Sequence, residues 1–183
     1  NYDLFISDLL KSQAKKFLEQ YSSKFLVGIN LEGAIKDKRI SFSELNQICQ
    51  RLYQHNNNIQ VIILTTPKNF HSVNRNVLSM NLDYVVMSYV TDTILFAAAL
   101  INELDLIISP DTSISHVAST FNKPILTIHE NNYDSYELFK PTSELNRTVF
   151  SKSHNSLSGF SIDLVIDYFC ELTNLMKKEG YGK

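Results

Sequence analysis

Asp105-Leu106-Ile107-Ile108-Ser109-Pro110-Asp111-Thr112-Ser113-Ile114-Ser115-His116 is the stretch that decides the fold of this 183-residue chain. Three apolar residues, Leu106 to Ile108, stop at Ser109-Pro110. Small hydroxyl and acidic residues follow at once, then His116 and Val117-Ala118. That order predicts a buried strand feeding directly into a helix start. Helix N-termini leave backbone N–H groups unpaired and carry partial positive charge, so they attract anions, phosphate above all. In an open α/β sheet, ligands sit beyond the carboxyl ends of the strands, where this junction falls. Capping is the plain alternative, because any such turn carries a Ser, Thr or Asp. Three cap-type residues in a row, with Ser115 and His116 behind them, exceed what capping needs.

Outward from this junction the chain alternates strand and helix. Upstream, residues 7–21 read as an amphipathic helix with Leu9, Leu10, Ala14, Phe17, Leu18 and Tyr21 on one stripe. Strands follow at 25–31, 59–64 and 84–87, separated by helices at 41–55 and 69–80. A strongly apolar helix over 91–104 precedes the Leu106 strand. Downstream come a helix over 112–121, a strand over 124–128, a polar loop over 131–146, a last strand over 147–150 and a long helix over 161–178. Near-continuous apolar strands alternating with helices specify an α/β fold, a doubly wound parallel sheet of about six strands. Right-handed crossovers then bring every strand-to-helix loop to one edge.

Composition narrows the class. The length fits one domain with a sizeable core, and 44% hydrophobic with 20% charged residues is ordinary for a soluble globular chain. A net charge of −2 gives no basic field, so no nucleic-acid partner is expected. No apolar run has the length to span a bilayer, and no signal peptide is visible. The chain opens on Asn1 without a Met, as a fragment or processed chain does. Cys49 and Cys170 both lie in helical patterns and read as buried thiols of a reducing compartment. The five histidines show no close ligand spacing and there is no Asp-x-Asp, so no metal site is expected. Gly28 and Gly33 do not make a Gly-x-Gly-x-x-Gly loop, which argues against a nicotinamide dehydrogenase.

Five loops converge on the edge. The first supplies Asn30, Gly33, Ala34, Lys36, Lys38 and Arg39, the second Thr65, Thr66 and Lys68. The third supplies Met87, Ser88 and Val90, the fourth Asp111 to His116, and the fifth His129 to Asn132. Gly33 lets backbone approach a ligand closely. A lysine can meet a phosphate, although solvated lysines are the norm. A cation, a helix N-terminus and an apolar slot suit a nucleotide diphosphate, and pre-set donors stabilise charge developing on a leaving group. His116, within the first turn of its helix, either donates to a phosphate oxygen or bonds only its own loop. Ser113 and Ser115 lack the Gly-x-Ser-x-Gly elbow of a nucleophile.

These residues carry a resemblance. Asp111-Thr112-Ser113-Ile114-Ser115-His116-Val117-Ala118, followed by Asn122-Lys123-Pro124-Ile125-Leu126-Thr127-Ile128, resembles the donor-binding half of the bacterial heptosyltransferases (glycosyltransferase family 9). That family reads Asp-Thr-Gly, two residues, His, an apolar residue and Ala, and later Pro and an apolar strand. Glu32-Gly33-Ala34 and Lys38-Arg39-Ile40-Ser41 resemble its upstream turn and helix cap. Thr91-Asp92-Thr93-Ile94 resembles its segment near the base. The likeness covers about residues 25–145.

The resemblance implies the C-terminal half of a GT-B enzyme with a Rossmann-like fold. Residues 25–183 would be the nucleotide-sugar domain, and 1–24 a linker helix from an N-terminal domain carrying the acceptor site and catalytic base. It implies Thr112, Ser113 and His116 near a diphosphate, Lys38 on a phosphate, Met87 to Asp92 near the base, with Gly33 and Asp111 completing the donor site. No cofactor or metal is implied. The donor would be a nucleotide-sugar, ADP-linked and heptose by family default. The acceptor would be a lipopolysaccharide or lipooligosaccharide core, reached from the cytoplasmic face of a Gram-negative inner membrane, with peripheral membrane contact. The isolated chain is then expected to be inactive.

The chain departs from the family at Ser113 for glycine, Ile40 for tryptophan, and His129-Glu130-Asn131-Asn132 for Gly-Pro-Thr. Its second loop also lacks an acidic residue to reach a ribose. Two rivals remain: a domain that keeps the fold without the donor site, and another nucleotide-sugar enzyme such as an epimerase. An epimerase would draw its acid and base from Asp111, His116 and Glu130.

Overall fold

The computed structural model describes residues 4–32 and 38–180. Among these, six strands form one all-parallel sheet. They are β1 (Phe25–Asn30), β2 (Ile59–Leu64), β3 (Val85–Met87), β4 (Leu106–Pro110), β5 (Ile125–His129) and β6 (Asn146–Phe150). Their order, β3-β2-β1-β4-β5-β6, reverses direction between β1 and β4. That reversal opens a crevice at the carboxyl edge, the usual ligand position in doubly wound sheets. The predicted α/β class and strand number hold.

Strand alternation explains the layers. Val27 and Ile29 of β1, with Val61 and Ile63 of β2, face α2 (Phe42–His55) and α7 (Ile162–Glu179), and all four are fully buried. Leu26, Ile62 and Ile107 face the other way, onto α1 (Asp8–Leu18), α4 (Ile94–Glu103) and α5 (Ser113–Thr120). Because helices cover both faces, β1, β2, β4 and β5 are buried almost throughout, while the edge strand β6 keeps Asn146, Arg147 and Thr148 partly exposed. Gly28 lies in this second layer, where an added Cβ would meet Leu104 Cδ1 at 2.6 Å. A side chain there would force the terminal methyls of Leu104 and Ile107 to shift.

Helix starts follow the cap chemistry. Ser41 caps α2 in a reciprocal box: its Oγ accepts from Glu44 N, and Glu44 Oε2 accepts from Ser41 N at 2.8 Å. α1 packs on α4 through Ala14 and Leu18. Leu9 is an exception to the predicted stripe and is 77% exposed. It sits one residue, about 100° of helix, from Leu10, which does turn inward.

Two further readings need correction. The segment 131–146 is not all loop: Tyr133–Phe139 forms a helix, α6, capped by Asn132 Oδ1 on Ser135 N at 3.1 Å. Its sequence shows little apolar periodicity because ring contacts hold it, with Tyr133 and Tyr136 packed on Phe150. Of the two thiols, Cys49 is buried and pushed up to about 12 by desolvation. Cys170 is only half-buried, with its Sγ 3.3 Å from His55 Nδ1. α3 (Phe70–Ser79), preceded by a 3₁₀ turn at Pro67–Asn69, and a second 3₁₀ turn at Glu19–Tyr21 after α1 complete the helices among the described residues.

Candidate functional site

The carboxyl edge carries two polar clusters, one on each side of the β1/β4 reversal. β4 delivers Ser109 and Pro110, and the chain then turns through Asp111 into α5. Thr112 is the N-cap: its Oγ1 accepts from Ile114 N at 3.2 Å, while Thr112 N donates to Ser115 Oγ at 3.3 Å. Asn30, at the end of β1, ties the reversal together. Its Nδ2 donates to Ser109 Oγ at 3.0 Å and to Thr112 Oγ1 at 3.2 Å.

A cleft of about 290 Å³ opens beside this junction. Its floor is Asn30, Leu64 and Ala97, and its rim includes Thr65, Thr66, Asp92, Ser113 and Ile114. The buried carboxyl of Glu32 belongs to its wall. Oε1 of Glu32 accepts from Thr65 Oγ1 at 2.7 Å, Asn69 Nδ2 at 2.7 Å and Thr66 Oγ1 at 3.0 Å. Burial would raise its pKa, but these donors outweigh burial and hold Glu32 below the ordinary carboxylate value. A larger cavity, about 560 Å³, lies at the opposite edge between Lys24, His55, Asn58 and Met176. None of the predicted site residues lines it.

The second cluster surrounds Asp111. Its Oδ2 lies 3.3 Å from Nε2 of His129, which is 2% exposed, and its Oδ1 lies 4.0 Å from Nε2 of the half-exposed His116. His129 Nδ1–H donates to the Glu130 carbonyl at 2.7 Å, which assigns the ring's second nitrogen to Asp111. Burial disfavours the imidazolium, yet the bonds to Asp111 and the Glu130 carbonyl more than offset this and raise the pKa of His129. Lys38 Nζ pairs with Glu130 Oε1 at 3.0 Å, with both side chains largely buried.

The predicted residues therefore separate. Asp92 and Ser113 line the cleft, and Thr112 stands at its edge through Asn30. Asp111 and His116 belong to the adjoining cluster. Lys38 is tied to Glu130 rather than open to solvent. Met87 is half-buried against the core on the α2/α7 face of the sheet and is not part of the cleft lining. Gly33 lies outside the described residues. Sequence reading gave Glu32 no role beyond a turn; it put His129 and Glu130 in the fifth loop and offered Glu130 as an acid or base to an epimerase, without their pairing to Asp111 and Lys38. An acid directly after an apolar strand, and a histidine ending one, were the available signals.

The comparisons with known proteins agree with this architecture. The Escherichia coli (strain K12) lipopolysaccharide heptosyltransferase 4, itself a provisional assignment, is 25% identical over 158 residues, covering 84% of this chain and 41% of that protein. The crystal structure of a family 9 glycosyl transferase from Veillonella parvula superposes with a TM-score of 0.78 at 17% identity, over 92% of this chain and 52% of its own. The E. coli ADP-heptose lps heptosyltransferase II gives 0.76 at 19%, over 97% and 54%. At such identities the structural likeness concerns the fold. This chain thus spans about half the length of the relatives it matches. The glycosyltransferase family 9 (heptosyltransferase) model matches residues 3–161, most of the chain, and the chain belongs to that family.

Proposed function

We propose that this chain is the donor-binding half of a GT-B glycosyltransferase that moves a sugar from a nucleotide-sugar to a lipopolysaccharide or lipooligosaccharide core. The observation that carries this reading is the cleft at the β1/β4 reversal, with the α5 N-terminus and Ser113 on its rim. A diphosphate there would meet helix amides and a positive dipole end, which stabilise the charge left behind as the anomeric bond breaks. Thr112, Ser113 and His116 would hold the diphosphate, Gly33 and Lys38 would close on it, and Asp92 would lie toward the base. Asp111 orients the junction between the two imidazoles. ADP is the first nucleotide to try, since the E. coli heptosyltransferase WaaC, alike in fold, was solved with ADP.

The acceptor site and the base that deprotonates the acceptor would belong to a second, N-terminal domain, with 1–24 as the linker helix. The relatives' roughly doubled length supports that division. No described helix is long and apolar enough to cross a membrane. Work on a lipid-linked core would then take place as a peripheral contact at the cytoplasmic face of the inner membrane.

Calorimetry with ADP, UDP, GDP and CDP tests the donor site. Binding of one of them in roughly the micromolar to millimolar range supports it, and no heat with any of the four overturns it. One observation favours the rival, a domain that has lost its donor: Lys38, the expected phosphate cation, is already neutralised by Glu130. The same titration decides between them. Separately, measurable transfer by this chain alone would contradict the two-domain division.

A further inference from the structure

The cavity of about 560 Å³ at the amino edge of the sheet takes no part in the donor-site reading. Its size falls within the roughly 300–1,000 Å³ of small-molecule sites. It lies where α2 and α7 end and where β1 and β4 begin, and its walls are tied together. Lys24 N donates to Tyr21 O and Phe25 N to Asn58 O, both at 2.9 Å. Asn58 Nδ2 donates to Ser23 O at 3.1 Å, and Asp105 Oδ2 accepts from Leu26 N at 2.7 Å. His55 is held on two sides, with Nδ1 3.3 Å from Cys170 Sγ and its ring edge-on to Phe169 at 5.9 Å.

The polar groups of this lining do not balance. Lys24 and Lys177 both face the cavity, and neither ammonium has a carboxylate or hydrogen-bond partner among the described residues. Lys177 stands in the last turn of α7, where a cation suits the negative end of the helix. Lys24 has no such use, since it lies outside any helix, and it is half-buried. Asn56 Nδ2 and the second nitrogen of His55 add further unbonded groups, while Asp105, the lining's one carboxylate, already serves the β1 backbone. Unused donors with two positive charges therefore face the same space. Beside them Phe25, packed on Phe169, and the buried Met176 form an apolar wall.

We propose that this cavity is a second ligand site, which takes a small phosphate monoester with an apolar body. Lys24 and Lys177 meet the phosphate, His55 and Asn56 bond its oxygens, and the body rests on Phe25 and Met176. Two ammonium groups call for two negative charges, and a phosphate monoester carries about −1.5 to −2 at neutral pH, where a carboxylate carries one. The site is independent of the donor cleft. Five strand steps of β1, about 16 Å, separate Phe25 from Asn30, so both sites can be filled at once.

Calorimetry with phenyl phosphate, run with and without saturating ADP, tests it. Phenyl phosphate should bind with a dissociation constant below about 1 mM, and ADP should not displace it. Inorganic phosphate, without the ring, should bind about fivefold more weakly or worse. Lys24→Ala combined with Lys177→Ala should weaken phenyl phosphate about tenfold, the effect of losing charge-assisted hydrogen bonds. Lys15→Ala combined with Lys178→Ala removes the same charge from exposed positions outside the lining and should bind as the wild type does. No binding of phenyl phosphate, its displacement by ADP, or equal affinity for inorganic phosphate overturns the proposal. So does full affinity in the first double variant, or an equal loss in the second.

Discussion

The two clusters at the carboxyl edge treat negative charge in opposite ways. Around Glu32, neutral hydroxyl and amide donors supply most of the close bonds to the carboxylate, with the Arg39 guanidinium at 3.5 Å as its counter-charge. Around Asp111 and Glu130, each carboxylate faces a cation or a group that becomes one, His129 and Lys38. The first arrangement spreads one negative charge over several neutral donors in the wall of an open cleft. The second uses its charges on itself, which stabilises the loop after β5 but withdraws the lysine that a phosphate would use. One sheet edge thus holds an open half and a self-satisfied half, and substitutions can exchange those characters.

The largest expected effect is Asp111→Ala. It leaves His129 buried without its counter-ion, and breaking such pairs costs about 3 kcal/mol. The pKa of His129 is raised from 6.5. Its pairing therefore contributes fully below that ordinary value and is lost as pH rises through the raised folded value. Urea denaturation should show a greater loss near pH 5.5 than near pH 8.5. An equal loss at both would mean the pair is not ionic.

Glu32→Ala comes next, at about 1–3 kcal/mol, because three donors lose their acceptor. Its pH dependence should be the reverse. The pKa of Glu32 is lowered from 4.5. Its contribution is present above that ordinary value and disappears as pH falls through the folded one. Wild type and Glu32→Ala should therefore converge in stability at acid pH and stay apart at neutral pH. A gap that persists under acid conditions would place the loss in packing instead.

How far each half could be read beforehand follows the same division. The strands, the α5 junction and the caps are local: apolar runs of the right length, Pro110, and Ser or Thr at the N-cap write them into short windows. Thr112 and Ser113, which the structure places at the cleft, were proposed that way because they flank such a start, whereas Asp92 was proposed only through the family resemblance. Glu32, His129 and Lys38 act through partners distant in sequence, such as Glu32 on Asn69 and Lys38 on Glu130. Nothing in a single window encodes those bonds. α6 was missed for a related reason: its stability comes from the Phe150 ring, not from its own periodicity. Met87 was placed at a ligand because it ends a strand at the right edge, but β3 is the outermost strand on that side and Met87 packs on the core.

Glu130→Gln would move the closed half toward the open one. Lys38 then loses its counter-charge and becomes available to a diphosphate. ADP should bind about fivefold more tightly, roughly 1 kcal/mol, with a steeper dependence on salt. Unchanged affinity and salt slope would show that Lys38 does not face the ligand.

The smallest change is Ser113→Gly, which restores the residue the family resemblance leads one to expect at the first position of α5. Two opposing terms decide its outcome. Glycine costs backbone entropy in a helix, roughly 0.5 kcal/mol relative to serine. Ser113 is exposed on the cleft rim, and its side chain makes none of the capping bonds, which belong to Thr112 and Ser115. No packing should therefore be lost. Removing that side chain opens the approach to the α5 amides, so ADP affinity should rise about twofold while stability falls slightly. Parallel calorimetry and urea melts of the variant would separate the terms. Affinity falling together with stability would show that the serine hydroxyl is itself a ligand-binding group, and the open half of the edge would then extend one residue further into α5.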